Sequence, residues 1–317
     1  MRQAGRTDPA YNALREREEI PLEDLFRHPE LSTEISLLPT RLGVDAIIFF
    51  QDILTPLAPM GCPFVFRPGP VTENPIRNAS QIEGLAQYDV AEALPFVGET
   101  LGLVQRELDG EMPVLGFAGA PLTLAVFMIE GRSFGNSADM ALQFMSEAPE
   151  AMHSLLDKLT QMTIDYLRYQ IESWAYAVQL FESAAYLITP HMYNEYALPY
   201  HQRIFEALSG SAPTIIFARA WPNVSDLDAS GADILSIDSA MTIAEARTIV
   251  GESRVIQGNL SNRLLCDGTF KEIERAARDA VESGGRHGHI FNLDHGLLRE
   301  TPYENIQFLM KVLHESQ

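Results

Sequence analysis

Cysteine is scarce in this chain: its 317 residues include only Cys62 and Cys266. Two isolated thiols build no disulfide framework and lack the paired spacing of a structural zinc site, so a reducing compartment is expected. Basic residues are few as well, 23 Lys and Arg against 43 Asp and Glu, which leaves a formal net charge of −20. Nucleic acid and anionic membrane surfaces both need a basic face, so neither is expected as a partner. An anionic ligand then requires a local gathering of arginines. Long hydrophobic runs are missing too. The least polar stretch, Val114 to Ile129, is shorter than a membrane span and is broken by Gly116, Gly119 and Pro121. The opening segment, MRQAGRTDPAYNALRERE, has no apolar h-region, so no secretory signal is expected and the cytoplasm is the expected compartment. With no linker, low-complexity tract or repeat of fixed period, the sequence predicts one domain over residues 1–317.

What is present is an alternating pattern. Short apolar or β-branched runs bounded by turn residues recur at Asp45 to Phe50, Pro113 to Phe117, Val178 to Phe181, Thr214 to Phe217, Asp233 to Ile237, Arg254 to Gln257 and His289 to Leu293. These read as seven strands. Segments with helical spacing lie between and after them: Ala86 to Glu107, Ala138 to Trp174, Met192 to Leu208, Ile243 to Val250, Phe270 to Val281 and Tyr303 to His314. Strand and helix in alternation predict a parallel α/β sheet. The expected fold is a single (β/α)8 TIM-type barrel, which needs eight strands. Seven are legible, and no apolar run leads into Arg2 to Arg6, so the first strand is expected to be truncated at the N-terminus. An open seven-stranded sheet also fits the pattern taken alone.

In barrels of this kind the site is built from loops at the C-terminal strand ends, so polar residues directly after an apolar run are the candidates. Gln51 and Asp52, Glu182 and Ser183, Asn259, and Asp294 and His295 meet that test. Arg2, Gln3 and Arg6 add two guanidinium groups spaced to converge on one carboxylate-rich ligand. No metal-ligand spacing, glycine-rich phosphate loop or nucleophile elbow is found.

MRQAGR, GVDAIIFFQDIL, GFAGAPLTLAVFMIEG, VQLFES, VIQGNL and GHIFNLDHG follow one another along the chain, and this series resembles the successive signature motifs of the uroporphyrinogen decarboxylase family. The resemblance runs from residue 1 to about residue 305. It implies an enzyme with no cofactor and no metal that removes carbon dioxide from the four acetate side chains of uroporphyrinogen III on the haem pathway. That substrate carries eight carboxylates. The resemblance assigns Arg2 and Arg6 to carboxylate binding and makes Arg2 a candidate proton donor, although a guanidinium is a poor acid. Asp52 matches the aspartate that faces the pyrrole NH groups. Ser183 and His295 would line the pocket, and Gln3, Ile53, Leu54 and Phe127 would shape it around the macrocycle. A homodimer is implied as well.

Each candidate also has a plainer structural reading: a helix cap for Asp52 or Ser183, a satisfied core histidine for His295, a frayed terminus for Arg2, Gln3 and Arg6. The sequence departs from the family at three places. Phe127 stands where tyrosine is common, Asp294 stands where glycine is usual, and AAYLITP and FARAWP replace two customary loop sequences. Asp294 beside His295 predicts a raised histidine pKa and repulsion of substrate carboxylate. Two alternatives stay open on these grounds: a catalytically silent tetrapyrrole-binding relative, and a corrinoid-dependent methyltransferase of the same fold, whose zinc-bound thiolate would need a His-x-Cys pair.

Overall fold

The structure is a computed structural model in which residues 7–316 are described. The expectations for Arg2, Gln3 and Arg6 lie outside the described residues. Seven strands form one parallel sheet: β1 (Ile47–Ile48), β4 (Val114–Gly119), β5 (Ala177–Glu182), β6 (Thr214–Ala218), β7 (Ile234–Ser236), β8 (Val255–Leu260) and β9 (His289–Leu293). Their order in space is their order along the chain. Without a reversal of strand order the sheet has no switch point of the doubly wound kind, and successive crossovers of one hand place the helices on one face. The other face curls inward. Helix cover outside and side-chain filling inside bury both surfaces, which is why the strands read as nearly continuous apolar runs.

Among the described residues β1 and β9 have no sheet partner on their outer edges. A cavity of about 390 Å³ lies between them, lined by Ala46 and Ile48 on one side and by His289, Ile290 and Phe291 on the other. The curled sheet therefore holds the seven strands read from the sequence and is open along this one seam.

Strand positions agree with the sequence pattern, with two shortenings: Asp45 to Phe50 pairs with β4 only at Ile47 and Ile48, and Asp233 to Ile237 forms a strand only over Ile234–Ser236. A hairpin was not anticipated. β2 (Phe64–Phe66) and β3 (Pro70–Thr72) pair antiparallel across the turn between them. Three long helical segments prove to be broken. Pro149 ends one helix at Glu147 and begins the next, Pro149–Glu172; Pro95 and Pro199 stand at two further breaks, opening Pro95–Glu107 and Leu198–Leu208. A proline is tolerated at the first turn but not inside a helix. Elsewhere the starts are fixed by capping boxes, Thr242 with Glu245 for Ile243–Val250 and Thr269 with Glu272 for Phe270–Gly284.

Candidate active site

Parallel strands put all their C-terminal ends on one side, so the loops after β1, β5, β6, β8 and β9 share one mouth. Inside that end an aromatic row crosses the sheet. Phe49 meets Phe117 at 5.3 Å, Phe117 meets Phe181 at 5.8 Å, and Phe181 meets Phe217 at 6.0 Å between ring centroids. The row ends on His295, 6.1 Å from Phe217 and edge-to-face with it. Below it lies a buried polar layer in which Gln257 Nε2 donates to Ser236 Oγ at 2.9 Å and to Gln179 Oε1 at 3.4 Å. A flat apolar ligand with polar edges fits such a floor better than a small charged one does.

Asp52 is half-buried in the loop after β1, four residues past the end of the strand at Ile48. Its Oδ1 accepts the Leu54 N–H at 2.8 Å, a local turn that fixes the carboxylate in place, but Asp52 caps no helix: the one-turn helix that follows, Thr55–Leu57, starts from Leu54. Gln51 braces the same loop, accepting Thr55 Oγ1 at 2.8 Å and donating to Phe26 O at 3.2 Å.

Ser183 follows β5, and for it the capping reading fails. The short helix that follows, Ala185–Leu187, starts from Ala184 with no side-chain cap, and the Ala184 N–H donates to Thr123 Oγ1 at 3.0 Å and Glu182 Oε1 at 3.3 Å. Ser183 itself is half-buried and its hydroxyl makes no hydrogen bond within the described residues. Glu182, also a sequence candidate, is fully buried in a brace behind the mouth. It accepts Thr123 Oγ1 at 2.5 Å and His201 Nε2 at 3.1 Å, with both members of the Glu182–His201 pair fully shielded from solvent. Sequence reasoning missed Thr123 and His201.

His295 Nδ1 accepts the Gly296 N–H at 2.7 Å. In the neutral ring that leaves the proton on Nε2, which makes the histidine a donor toward an acid group. Both carboxylate oxygens of Asp294 are held by other groups. Its Oδ1 accepts Asn262 N–H at 2.8 Å and its Oδ2 accepts Ser239 Oγ at 2.6 Å. The carboxylate staples the loop after β7 to the helix that follows β8. Asn259 serves the same loop, donating to Asp238 O at 2.7 Å and to Met241 O. Asp238 has its pKa raised by burial, opposed by the Ala240 N–H and reinforced by Asp294.

Phe127 is 2% exposed, inside the largely apolar helix Pro121–Glu130, with its ring edge-to-face against Phe64 of β2 at 6.3 Å. The hairpin thus covers the helix that carries it. Among the described residues no three His, Cys, Asp or Glu side chains gather as a metal-binding group. Cys62 is buried under the hairpin with Sγ 3.4 Å from Thr72 Oγ1, and burial pushes its thiol up. A metal-bound thiolate needs the opposite shift.

Comparison with known proteins gives the family of the whole chain. The family model described as uroporphyrinogen decarboxylase (URO-D) matches residues 1–316. The uroporphyrinogen decarboxylase of Syntrophotalea carbinolica is 43% identical over 99% of this chain and 92% of its own length. That of Geobacter sulfurreducens is 37% identical over the same shares, and that of Picosynechococcus sp. 38% identical over 100% and 92%. Among solved structures, a methyltransferase from Methanosarcina mazei superposes with a TM-score of 0.80 at 19% identity, covering 96% of this chain and 90% of that one. A B12-independent methionine synthase from Shewanella gives 0.61 at 11%, covering 94% and 91%. Identities that low speak for the shared barrel-like fold alone. With a match across nearly its whole length and relatives at 37–43% identity, the chain belongs to the uroporphyrinogen decarboxylase family.

Proposed function

We propose that the chain is a carboxy-lyase that converts uroporphyrinogen III to coproporphyrinogen III by removing carbon dioxide from its four acetate side chains, with no cofactor. Family membership over the whole chain carries this reading. The chemistry asks for little more than the mouth provides. An acetate on a pyrrole releases carbon dioxide once a proton on the adjacent ring carbon makes the ring an electron sink. The carbon–carbon bond then breaks and its electrons flow into the ring. A second proton converts the resulting methylene to methyl while the ring carbon gives its proton back. Each turn replaces CH2–COO⁻ and one proton by CH3 and CO2.

The protonated pyrrole is cationic, so a fixed carboxylate beside the pyrrole NH groups lowers its energy, most of all where water is excluded. Asp52 is our assignment for that carboxylate. Its loop is held by Gln51 and by its own bond to Leu54 N–H. Arg2, Gln3 and Arg6 bind substrate carboxylates in this reading, with His295 Nε2–H and the Ser183 hydroxyl as further donors. Phe127 shapes the wall. Arg2 is the candidate proton donor to the ring. We extend the same reading to a homodimer and to a cytoplasmic location.

The test is an anaerobic assay with uroporphyrinogen III, with the heptacarboxylate to tetracarboxylate products separated by chromatography, run beside Asp52→Ala. Products from the wild type and a loss of about a hundredfold or more in the variant are expected. Substrate bound without products from either protein would instead establish a silent relative. Neither binding nor products would overturn the reading altogether.

A further inference from the structure

We propose that Arg219 is a substrate-binding residue of this mouth, a clamp for one peripheral carboxylate of the tetrapyrrole. The proposal deepens the reading of the chain as a decarboxylase acting on a polycarboxylate, and it rests on that reading.

The placement comes from register. Glu182 of β5 pairs with Ala218 of β6, and Arg219 N–H donates to Glu182 O at 3.0 Å. Arg219 is therefore the first residue past β6, beside Ser183 at the mouth. The chain turns sharply straight after it, since Ala220 takes a left-handed φ of 48°. Left-handed backbone is costly for a residue with a Cβ and persists where the surroundings fix it. Here the next residue is held firmly: Trp221 stacks on Tyr193 at 4.2 Å and donates Nε1–H to Asp226 at 3.0 Å. The arginine is thus presented by a rigid corner.

Its side chain is fixed too. The guanidinium lies over the Tyr186 ring, 4.5 Å from the centroid, and the Tyr186 hydroxyl donates to Gly135 O in the loop after Pro121–Glu130. Stacking on an aromatic face uses the plane of the guanidinium and leaves its N–H edge for a forked contact with a carboxylate. No carboxylate of the described residues takes that contact. The ion pairs among them include Arg17, Arg41, Arg67, Arg203, Arg254, Arg263 and Arg278, but not Arg219. In a chain with 43 acidic and 23 basic residues, a half-buried, immobilised arginine with no acidic partner at the mouth is placed for an anion that arrives from outside.

The ligand class is an organic carboxylate on a ring periphery, and the test separates its binding from the chemistry. Arg219→Gln and Arg219→Lys are assayed anaerobically with uroporphyrinogen III. For Arg219→Gln we expect KM to rise about tenfold or more, the loss of one charged hydrogen-bonded contact, with kcat within about threefold of wild type and an unchanged thermal melt. Arg219→Lys, which keeps the charge but not the fork, should fall between. The oxidised probe uroporphyrin III, titrated by fluorescence quenching, should bind Arg219→Gln more weakly by a similar factor. An unchanged KM and unchanged probe binding would overturn the proposal, and so would a loss confined to kcat. If Arg219→Gln does not fold, Arg219→Lys carries the same comparison. Should the wild type make no product, the decarboxylase reading fails by itself, while the uroporphyrin titration still decides whether Arg219 holds a carboxylate.

Discussion

His289 sets an acid limit on stability. Its ring lies between β8 and β9, with Nε2 donating to Gly258 O at 2.8 Å. Burial lowers its pKa below the ordinary 6.5; the Gly258 bond opposes the shift and the Arg247 guanidinium adds to it. The folded state thus takes up a proton less readily than the unfolded one. The contribution is complete above the unfolded value, near 6.5, and is lost as the pH falls from there through the folded value. Thermal melts of the wild type and His289→Gln between about pH 5 and 8 should show the wild type losing stability on acidification more steeply. Parallel curves would rule the histidine out. Other single residues differ in how plainly the sequence announces them. Asp52, Ser183 and His295 stand directly after apolar runs, which marks a strand end in a parallel sheet. Thr123 lies in an apolar helix and His201 in a helix far downstream, and no local pattern says that both reach Glu182. Arg219 was visible only as part of FARAWP, because a lone arginine after a strand carries no sign of what it stacks on.

At the level of elements, β4 depends on a side chain from the helix Pro149–Glu172. Gln170 accepts Phe117 N–H at 2.7 Å and donates to Phe117 O at 2.9 Å, with all three groups buried. One amide thereby ties the longest helix to the strand that bears part of the aromatic floor. Gly116 makes room for it, since a Cβ there would run into Gln170 Oε1. Gln170→Leu leaves two buried backbone groups without this partner, a cost of about 2–4 kcal/mol. Tm should drop by several degrees, with Gly116→Ala lowering it as well; a melt unchanged by Gln170→Leu would show that water or another group replaces the amide. The sequence revealed these elements unevenly. Strands covered on both faces produce apolar runs that are hard to miss. Helical spacing continues across Pro149, Pro95 and Pro199, because the short helix before each break packs on the helix after it and buries apolar residues of its own. The β2–β3 hairpin escaped because each strand has three residues, too few to display a two-residue period, and its pairing answers to the helix beneath it.

For the whole molecule the governing quantity is charge. A protein of net charge −20 that binds a polycarboxylate must draw it in through a field of its own sign. The attractive contacts are local, from Arg2, Arg6 and Arg219 in our reading, and act over hydrogen-bond distances. The repulsion comes from acidic groups spread over the surface, tens of ångströms away. Salt distinguishes the two, because screening acts over about 30 Å at 0.01 M and about 8 Å at 0.15 M. Raising ionic strength across that interval removes most of the distant repulsion and leaves partly buried contacts largely in place. Association should therefore quicken, and kcat/KM for uroporphyrinogen III should rise with added KCl, the reverse of the trend for an enzyme that steers an anion with a basic surface. Arg219→Gln should show the same upward slope from a lower starting value, since its loss removes a contact and leaves the field nearly as it was. A steady fall in kcat/KM with salt would mean that the arginines at the mouth outweigh the acidic surface at long range, and the balance argued here would be wrong.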